Sequence, residues 1–170
     1  MALFSEPTGV PRIVQALFAV SLLVCTGFSA AEGLPAYSTG YSAERDPFAD
    51  GRAALALAKG SGRRVLIEVG GDWCAWCHRL ERIISEHPEI AKALYGNFVL
   101  LKVSVDEANP NAEFLSGLPK LEGYPKLFVA RADGIIVHSQ DPSDFMIEGD
   151  YHPERILAFL RRWAAPKGGE

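Results

Sequence analysis

Cysteine and methionine are scarce in this chain, three and two among 170 residues. Positive charge is short as well: 17 lysines and arginines stand against 21 aspartates and glutamates, a net charge of −4. A protein that tracks nucleic-acid phosphates needs a basic face, so a nucleic-acid binder is excluded. Charged residues make up only 22% of the chain and apolar ones 48%, which excludes a disordered segment and a coiled coil. Beyond residue 31 no apolar run is long enough to span a bilayer, so a polytopic membrane protein is excluded too. Internal repeats are absent, and the length suits one ordinary domain.

What is present begins with an address. Residues 13–31 carry no charge, and their densest apolar part, 13–25, has the length of a signal-peptide core rather than of a membrane span. Arg12 supplies the positive flank, and Ser29-Ala30-Ala31 offers small residues for a cut before Glu32. Residues 1–31 are therefore read as a signal peptide of a periplasmic or otherwise exported protein, with an uncleaved N-terminal anchor as the alternative. Val24 is too large for a lipoprotein site at Cys25. Cleavage removes Glu6, Arg12 and Cys25 together, which keeps the net charge at −4 and leaves Cys74 and Cys77 as the only thiols. A disulfide across so short a loop adds little chain-entropy stabilisation. The pair points to chemistry.

Residues 32–45 lack periodicity and read as a flexible lead-in to a domain spanning 46–165, with 166–170 as a tail. Asp46-Pro47 predicts a helix start, Asp46 as N-cap and Pro47 in the first turn, with the end near Gly60. Residues 65–69 (VLIEV) read as a buried strand carrying one acid, Glu68. A helix follows from about Cys74, broken or restarted at Pro88. Residues 98–105 form a second buried strand, and 106–117 a loop with a short helix near 112–115. A strand at 126–130, a turn at Ala132-Asp133-Gly134 and a strand at 135–138 predict a hairpin. Residues 139–146 read as a polar loop. The last helix, 153–164, turns Ile156, Leu157, Phe159, Leu160 and Trp163 inward. This order predicts an α/β fold, a central mixed sheet of four to five strands flanked by helices on both faces.

Trp73-Cys74-Ala75-Trp76-Cys77 follows a buried strand and opens a helix. Cysteines three apart on the first helical turn bring their sulfurs within bonding distance. The first lies where free backbone N–H groups and the helix dipole favour a thiolate. The second is shielded and can resolve a mixed disulfide. Three other readings share these residues. The pair could be a closed structural disulfide. Cys74 to His78 also spells a c-type haem attachment motif, with His78 and Met146 as axial ligands, in a haem carrier. A copper carrier could use the two thiols and His78, although no fourth donor is evident and no metal residue is assigned. His87 and His138 read as solvent-edge residues, His152 as a flank of the last helix.

The segment resembles the thioredoxin superfamily over roughly residues 46–164. An acid, Glu68, stands six residues before the first cysteine; Tyr124-Pro125 precedes a strand as the family's cis-proline does; Asp133-Gly134 and Gly149 match its hairpin and C-terminal end. The run Trp73 to Glu81, the step Pro88 to Ala91 and the strand end Lys102 to Glu107 are similar to a bacterial exported branch with the motif W-C-x-W-C-H. The resemblance implies a thioredoxin-fold thiol–disulfide oxidoreductase, a protein-disulfide reductase rather than an oxidant. It implies Cys74 as attacking thiolate, Cys77 as resolving thiol, and Glu68 as a buried acid with raised pKa that relays the Cys77 proton. Pro125, in cis, exposes the Tyr124 backbone to a substrate strand, and Trp73 and Trp76 face the substrate. Glu68 could instead be an ion-paired strand residue. No cofactor beyond the redox-active Cys74–Cys77 pair is expected. The expected partners are proteins with disulfides or thiols and a membrane electron-relay protein, the chain itself acting as a monomer. Ala75-Trp76 departs from the Gly-Pro of general reductants and the Pro-His of strong oxidants, and Tyr124 is bulkier than the family's usual residue.

Overall fold

The computed structural model describes residues 33–166. The segment read as a signal peptide, with Arg12 and Cys25, and the last four residues of the tail lie outside them. The described residues fold around one four-stranded mixed sheet in the order β2-β1-β3-β4. β1 (Arg64–Gly70) pairs parallel with β2 (Phe98–Ser104) and antiparallel with β3 (Lys126–Ala130). β4 (Ile136–Gln140) continues the sheet antiparallel to β3 and reaches two residues farther than the periodicity predicts. Among the described residues no helix is long and apolar enough to cross a membrane.

Alternation along the central strands sorts the core into two layers. Val65, Ile67 and Val69 join Val99, Leu101, Val103 and Phe128 under α2 (Pro47–Ser61) and α5 (Ala112–Ser116). Leu66, Leu100, Leu127 and Val129 face the other way, against α3 (Ala75–Glu86), α4 (Pro88–Asn97) and α6 (Pro153–Arg162). Glu68 and Gly70 share the parity of Leu66 and so belong to this second face.

Local chemistry sets the helix ends. Asp46 caps α2 by accepting the Phe48 N–H at 2.9 Å, with Pro47 in the first turn, and Gly62 ends it at φ 65°. Fully buried Ala54 and Ala58 let this helix lie close against the sheet. Pro88 separates α3 from α4 because its ring cannot continue the hydrogen-bond ladder; His87 ends the first helix and caps the second. α6 buries Ile156, Phe159 and Leu160, with Leu157 and Trp163 half-buried beside them. His138, expected at a solvent edge, is half-buried and stacks on Trp163 at 4.1 Å.

Two expectations are corrected. Residues 33–45 do not form a flexible lead-in. Ala36–Thr39 is a short helix, α1, and Tyr37, Ser38 and Tyr41 are buried. The Ser38 hydroxyl donates to the Leu100 carbonyl at 2.5 Å, and Asn109 donates to the Ala43 carbonyl at 2.7 Å. The segment lacks periodicity because it is a strap, held at separate points instead of along a face. Nor is 139–146 a plain polar loop. Its first two residues extend β4, then Pro142–Phe145 forms a 3-10 turn that buries Phe145. A small ribbon follows, β5 (Met146–Ile147) against β6 (Asp150–Tyr151), tied to α3 by the Arg79–Asp150 ion pair.

Urea unfolding checks the strap. Phe128→Ala, which empties a fully buried site, lowers stability by roughly 3–5 kcal/mol. Ser38→Ala lowers it by about 1 kcal/mol, the ordinary worth of a buried hydrogen bond; a loose lead-in would leave stability unchanged.

Candidate active site

The cysteine pair is built by the β1–α3 junction. β1 ends at Gly70, the chain turns through Gly71-Asp72-Trp73, and α3 begins at Ala75 with Cys74 as its N-cap. Cys74 and Cys77 are joined in a disulfide with their Cα atoms 5.2 Å apart. The Cys77 backbone N–H donates to the Cys74 sulfur at 3.2 Å. A sulfur at this position shares the first-turn Cys77 amide with the Cys74 carbonyl, which accepts it at 3.0 Å, and meets the positive end of the helix dipole; both favour a thiolate over a thiol. Cys74 keeps 3% of its surface and Cys77 none, so only the first sulfur has a path to a partner.

Gly70 makes room for the second sulfur. A Cβ there would stand 2.5 Å from Cys77 Sγ and 2.7 Å from the Tyr41 hydroxyl oxygen. The backbone of β1 is therefore the floor of the site, and sulfur and phenol meet over it.

Beneath the pair Glu68, Tyr41 and Lys102 form a buried polar group, joined at its edge by the half-buried Glu81. Glu68 is 1% exposed, and its two oxygens have different partners. Oε1 accepts the Tyr41 hydroxyl at 2.8 Å, while Lys102 Nζ stands 3.8 Å from Oε2. Register brings Lys102 there, since it is Glu68's partner across the parallel β1–β2 pairing. The same ammonium pairs with Glu81 on α3 and lies 4.7 Å over the Tyr41 ring. Burial pushes the Glu68 carboxyl above the ordinary carboxylate range, against the opposing pull of Lys102 and the Tyr41 hydrogen bond. Burial and then Glu68 push the Tyr41 phenol upward, so it stays protonated.

The aromatic residues sort differently. Trp73 is 58% exposed, donates from its indole nitrogen to the Val105 carbonyl at 2.6 Å, and meets Tyr124 edge to face at 5.3 Å. Trp76 is 42% exposed and meets Tyr151 at 5.4 Å. The Tyr124–Pro125 peptide bond is cis. Trp76, Tyr124, Pro125, Asp141, Met146 and Tyr151 line a groove of about 310 Å³ whose far wall is the 139–151 segment. All seven residues singled out from the sequence thus surround the β1–α3 junction and this groove.

The carrier readings find less support. Thioether attachment of haem needs both sulfurs outside the fold, and Cys77 is fully buried. His78 turns Nε2 to the Asp72 carbonyl at 2.8 Å and Nδ1 toward Glu81 at 3.4 Å. Among the described residues no group of three or more His, Cys, Asp and Glu could hold a metal.

Sequence reasoning missed Tyr41, Gly70 and Glu81, and took Lys102 only as part of a strand end. The two tyrosines four apart, Tyr37 and Tyr41, were the available signal that residues 32–45 pack on something.

Comparison with known proteins places this geometry. Residues 46–132, just over half of the chain, match the thioredoxin-like family. The thiol:disulfide interchange protein DsbD of Klebsiella pneumoniae is 30% identical over 110 residues, covering 65% of this chain and 17% of that protein. The corresponding protein of Vibrio cholerae is 33% identical over 98 residues, covering 57% of this chain and 16% of that one. The chain thus spans less than a fifth of the length of these relatives. Among solved structures, a disulphide isomerase from Xylella fastidiosa superposes with a TM-score of 0.62 at 22% identity, covering 78% of this chain and 98% of that one. The oxidised DsbD C-terminal domain of Neisseria meningitidis superposes with a TM-score of 0.52 at 21% identity, covering 69% and 96%. The fold is the thioredoxin fold and, with the family match running from the cap of α2 through the cysteine pair to the β3–β4 hairpin, the chain belongs to the thioredoxin-like family.

Proposed function

We propose that this protein is an exported thiol–disulfide oxidoreductase that reduces disulfides of partner proteins through Cys74 and Cys77. The observation that carries the reading is the Cys77 amide donating to the Cys74 sulfur at the head of α3, with the second sulfur buried behind it. Curated relatives titled thiol:disulfide interchange proteins support the chemistry. The uncharged run at 13–31 supports export, and the resemblance supports a membrane electron-relay protein as the source of electrons.

In the reduced state Cys74 attacks one sulfur of the partner's disulfide as a thiolate. A mixed disulfide forms, and the partner's other sulfur leaves as a thiolate and takes up a proton. Cys77 then loses its proton toward Glu68 and attacks the Cys74 sulfur. The partner's second sulfur departs, both partner sulfurs end reduced, and Cys74–Cys77 holds the oxidising equivalent. Two electrons have moved from the dithiol to the partner, so the cycle needs no bound cofactor. Trp73, Trp76 and the groove beside Tyr124 and Pro125 receive the partner segment.

Removing Cys74 abolishes disulfide reduction, whereas Cys77→Ser accumulates a partner–protein mixed disulfide on non-reducing gels; a Cys74→Ser protein that still turns over refutes the scheme. The direction is read by equilibrating the protein in redox buffers and trapping free thiols. A two-electron midpoint well below about −220 mV marks a reductant, and one near about −120 mV an oxidant.

Glu68 adds a pH signature. Its raised pKa means that, between the unfolded and folded values, the folded chain holds a proton that the unfolded chain has released. Stability contributed by this site is complete below the unfolded value and falls as pH rises through the folded one, at no more than about 1.4 kcal/mol per pH unit. Glu68→Gln removes that slope in urea unfolding curves, and it slows mixed-disulfide resolution by roughly tenfold or more at neutral pH.

A further inference from the structure

We infer that Tyr41 is a positioning residue of the active site, its hydroxyl linking the Cys77 sulfur to the Glu68 carboxyl and passing the proton between them. This rests on the oxidoreductase reading above and adds a residue to it from a segment outside the family match, which begins at residue 46.

The placement is specific. Tyr41 is 7% exposed and packs in one buried cluster with Cys74 and Cys77. Its hydroxyl donates to Glu68 Oε1 at 2.8 Å. On its other side the same oxygen and Cys77 Sγ flank the single point that a Gly70 Cβ would occupy, at 2.7 and 2.5 Å. Sulfur and phenol oxygen can therefore be no farther apart than those two distances combined. Cys77 and Glu68 are the two ends of the transfer that resolution requires.

The step balances without ionising the phenol. The Cys77 thiol gives its proton to the Tyr41 oxygen while the Tyr41 proton passes to Glu68. A thiolate, a neutral tyrosine and a protonated glutamate result. A phenol held protonated by burial can serve only in this way, taking one proton as it gives another. Glu68 is faced by Lys102 from β2, Glu81 from α3, Tyr95 from α4 and Tyr151 from β6, with Asp72 near the Tyr41 hydroxyl from the turn. Tyr41 alone among these donates a hydrogen bond to Glu68 while packing in the cysteine cluster.

The strap holds the ring for this task. Ser38 is bonded to the Leu100 carbonyl, Asn109 to the Ala43 carbonyl, and Arg45 to both carboxylate oxygens of Asp50 at 2.6 Å. Tyr41 is thereby fixed from both sides along the chain.

Tyr41→Phe keeps the ring and removes only the link. The reduced full-length chain is mixed with a peptide disulfide carrying a chromophoric leaving thiol, and two phases are followed from pH 5 to 9. Release of the chromophore reports Cys74 attack, and a change in Trp73 and Trp76 fluorescence reports resolution by Cys77. The expected result is an unchanged first phase and a second phase slowed about tenfold, without the pH inflection that Glu68 contributes. The double variant Y41F/E68Q is then no slower than either single one, since both cut the same path. A Tyr41→Phe chain that keeps the wild-type second phase and inflection overturns the inference and leaves the oxidoreductase reading intact. So does a double variant whose slowing is the product of the two single effects. A wild-type chain that shows no first phase with the peptide overturns both. A purely structural role for the phenol lowers the urea midpoint of Tyr41→Phe without touching the inflection, and that outcome also overturns the inference.

Discussion

A carboxyl group in the middle of a hydrophobic sheet is the constraint around which this protein is arranged. An isolated buried carboxylate costs many kcal/mol, and a protein tolerates one only by pairing it, hydrogen-bonding it or keeping it protonated. Glu68 draws on all three. Lys102 comes to it through the strand register, Tyr41 through the N-terminal strap, and burial raises its pKa so that the proton is retained to higher pH. Each solution recruits a different part of the chain. The parallel β1–β2 pairing and the strap converge on Glu68, and α3 reaches Lys102 beside it through Glu81. Such a group is a poor device for stability, because apolar residues of similar volume cost less to bury. Its value lies in what sits above it.

What sits above it is a sulfur with nowhere else to go. Cys77 is fully buried and rests on Gly70, while Cys74 at the helix cap keeps the small exposure that an attacking group needs. The order of events in the proposed cycle follows from this asymmetry. Cys74 alone of the two keeps any exposure, and Cys77 lies with the Tyr41 phenol over Gly70. An ordinary side chain at position 70 would have to displace the sulfur, the phenol or the strand, so the glycine belongs to the chemistry more than to the turn.

The sequence made the central strands legible because burial on both faces of β1 and β2 leaves a short continuous apolar run, as in residues 65–69. The cysteine pair was legible because its spacing and its place after a strand are local properties. Tyr41 was not, since its partners are Glu68, twenty-seven positions away, and a cysteine pair farther still. A strap pinned by Ser38, Tyr41 and Ala43 has no repeat for a periodicity argument to find. The 139–146 segment was misjudged for a related reason. Phe145 is its one fully buried aromatic before the ribbon, and a single apolar residue among polar ones does not announce a 3-10 turn.

In the proposed cycle, partner selection falls to an outer surface of the site and proton handling to an inner one. Trp73, Trp76 and the groove wall built by residues 139–151 face outward, where exposed indoles offer large apolar area to a partner segment. Tyr41, Glu68 and Lys102 face inward and are buried, with the half-buried Glu81 at their edge. Tyr151 belongs to both surfaces, since it lines the groove and also faces Glu68. The Ala75-Trp76 pair stands at the boundary, one residue continuing the helix and the other leaning on Tyr151 of the ribbon. Through that contact the groove's far wall and the redox helix meet, so in the proposed cycle the 139–151 segment borders the path of a partner toward Cys74.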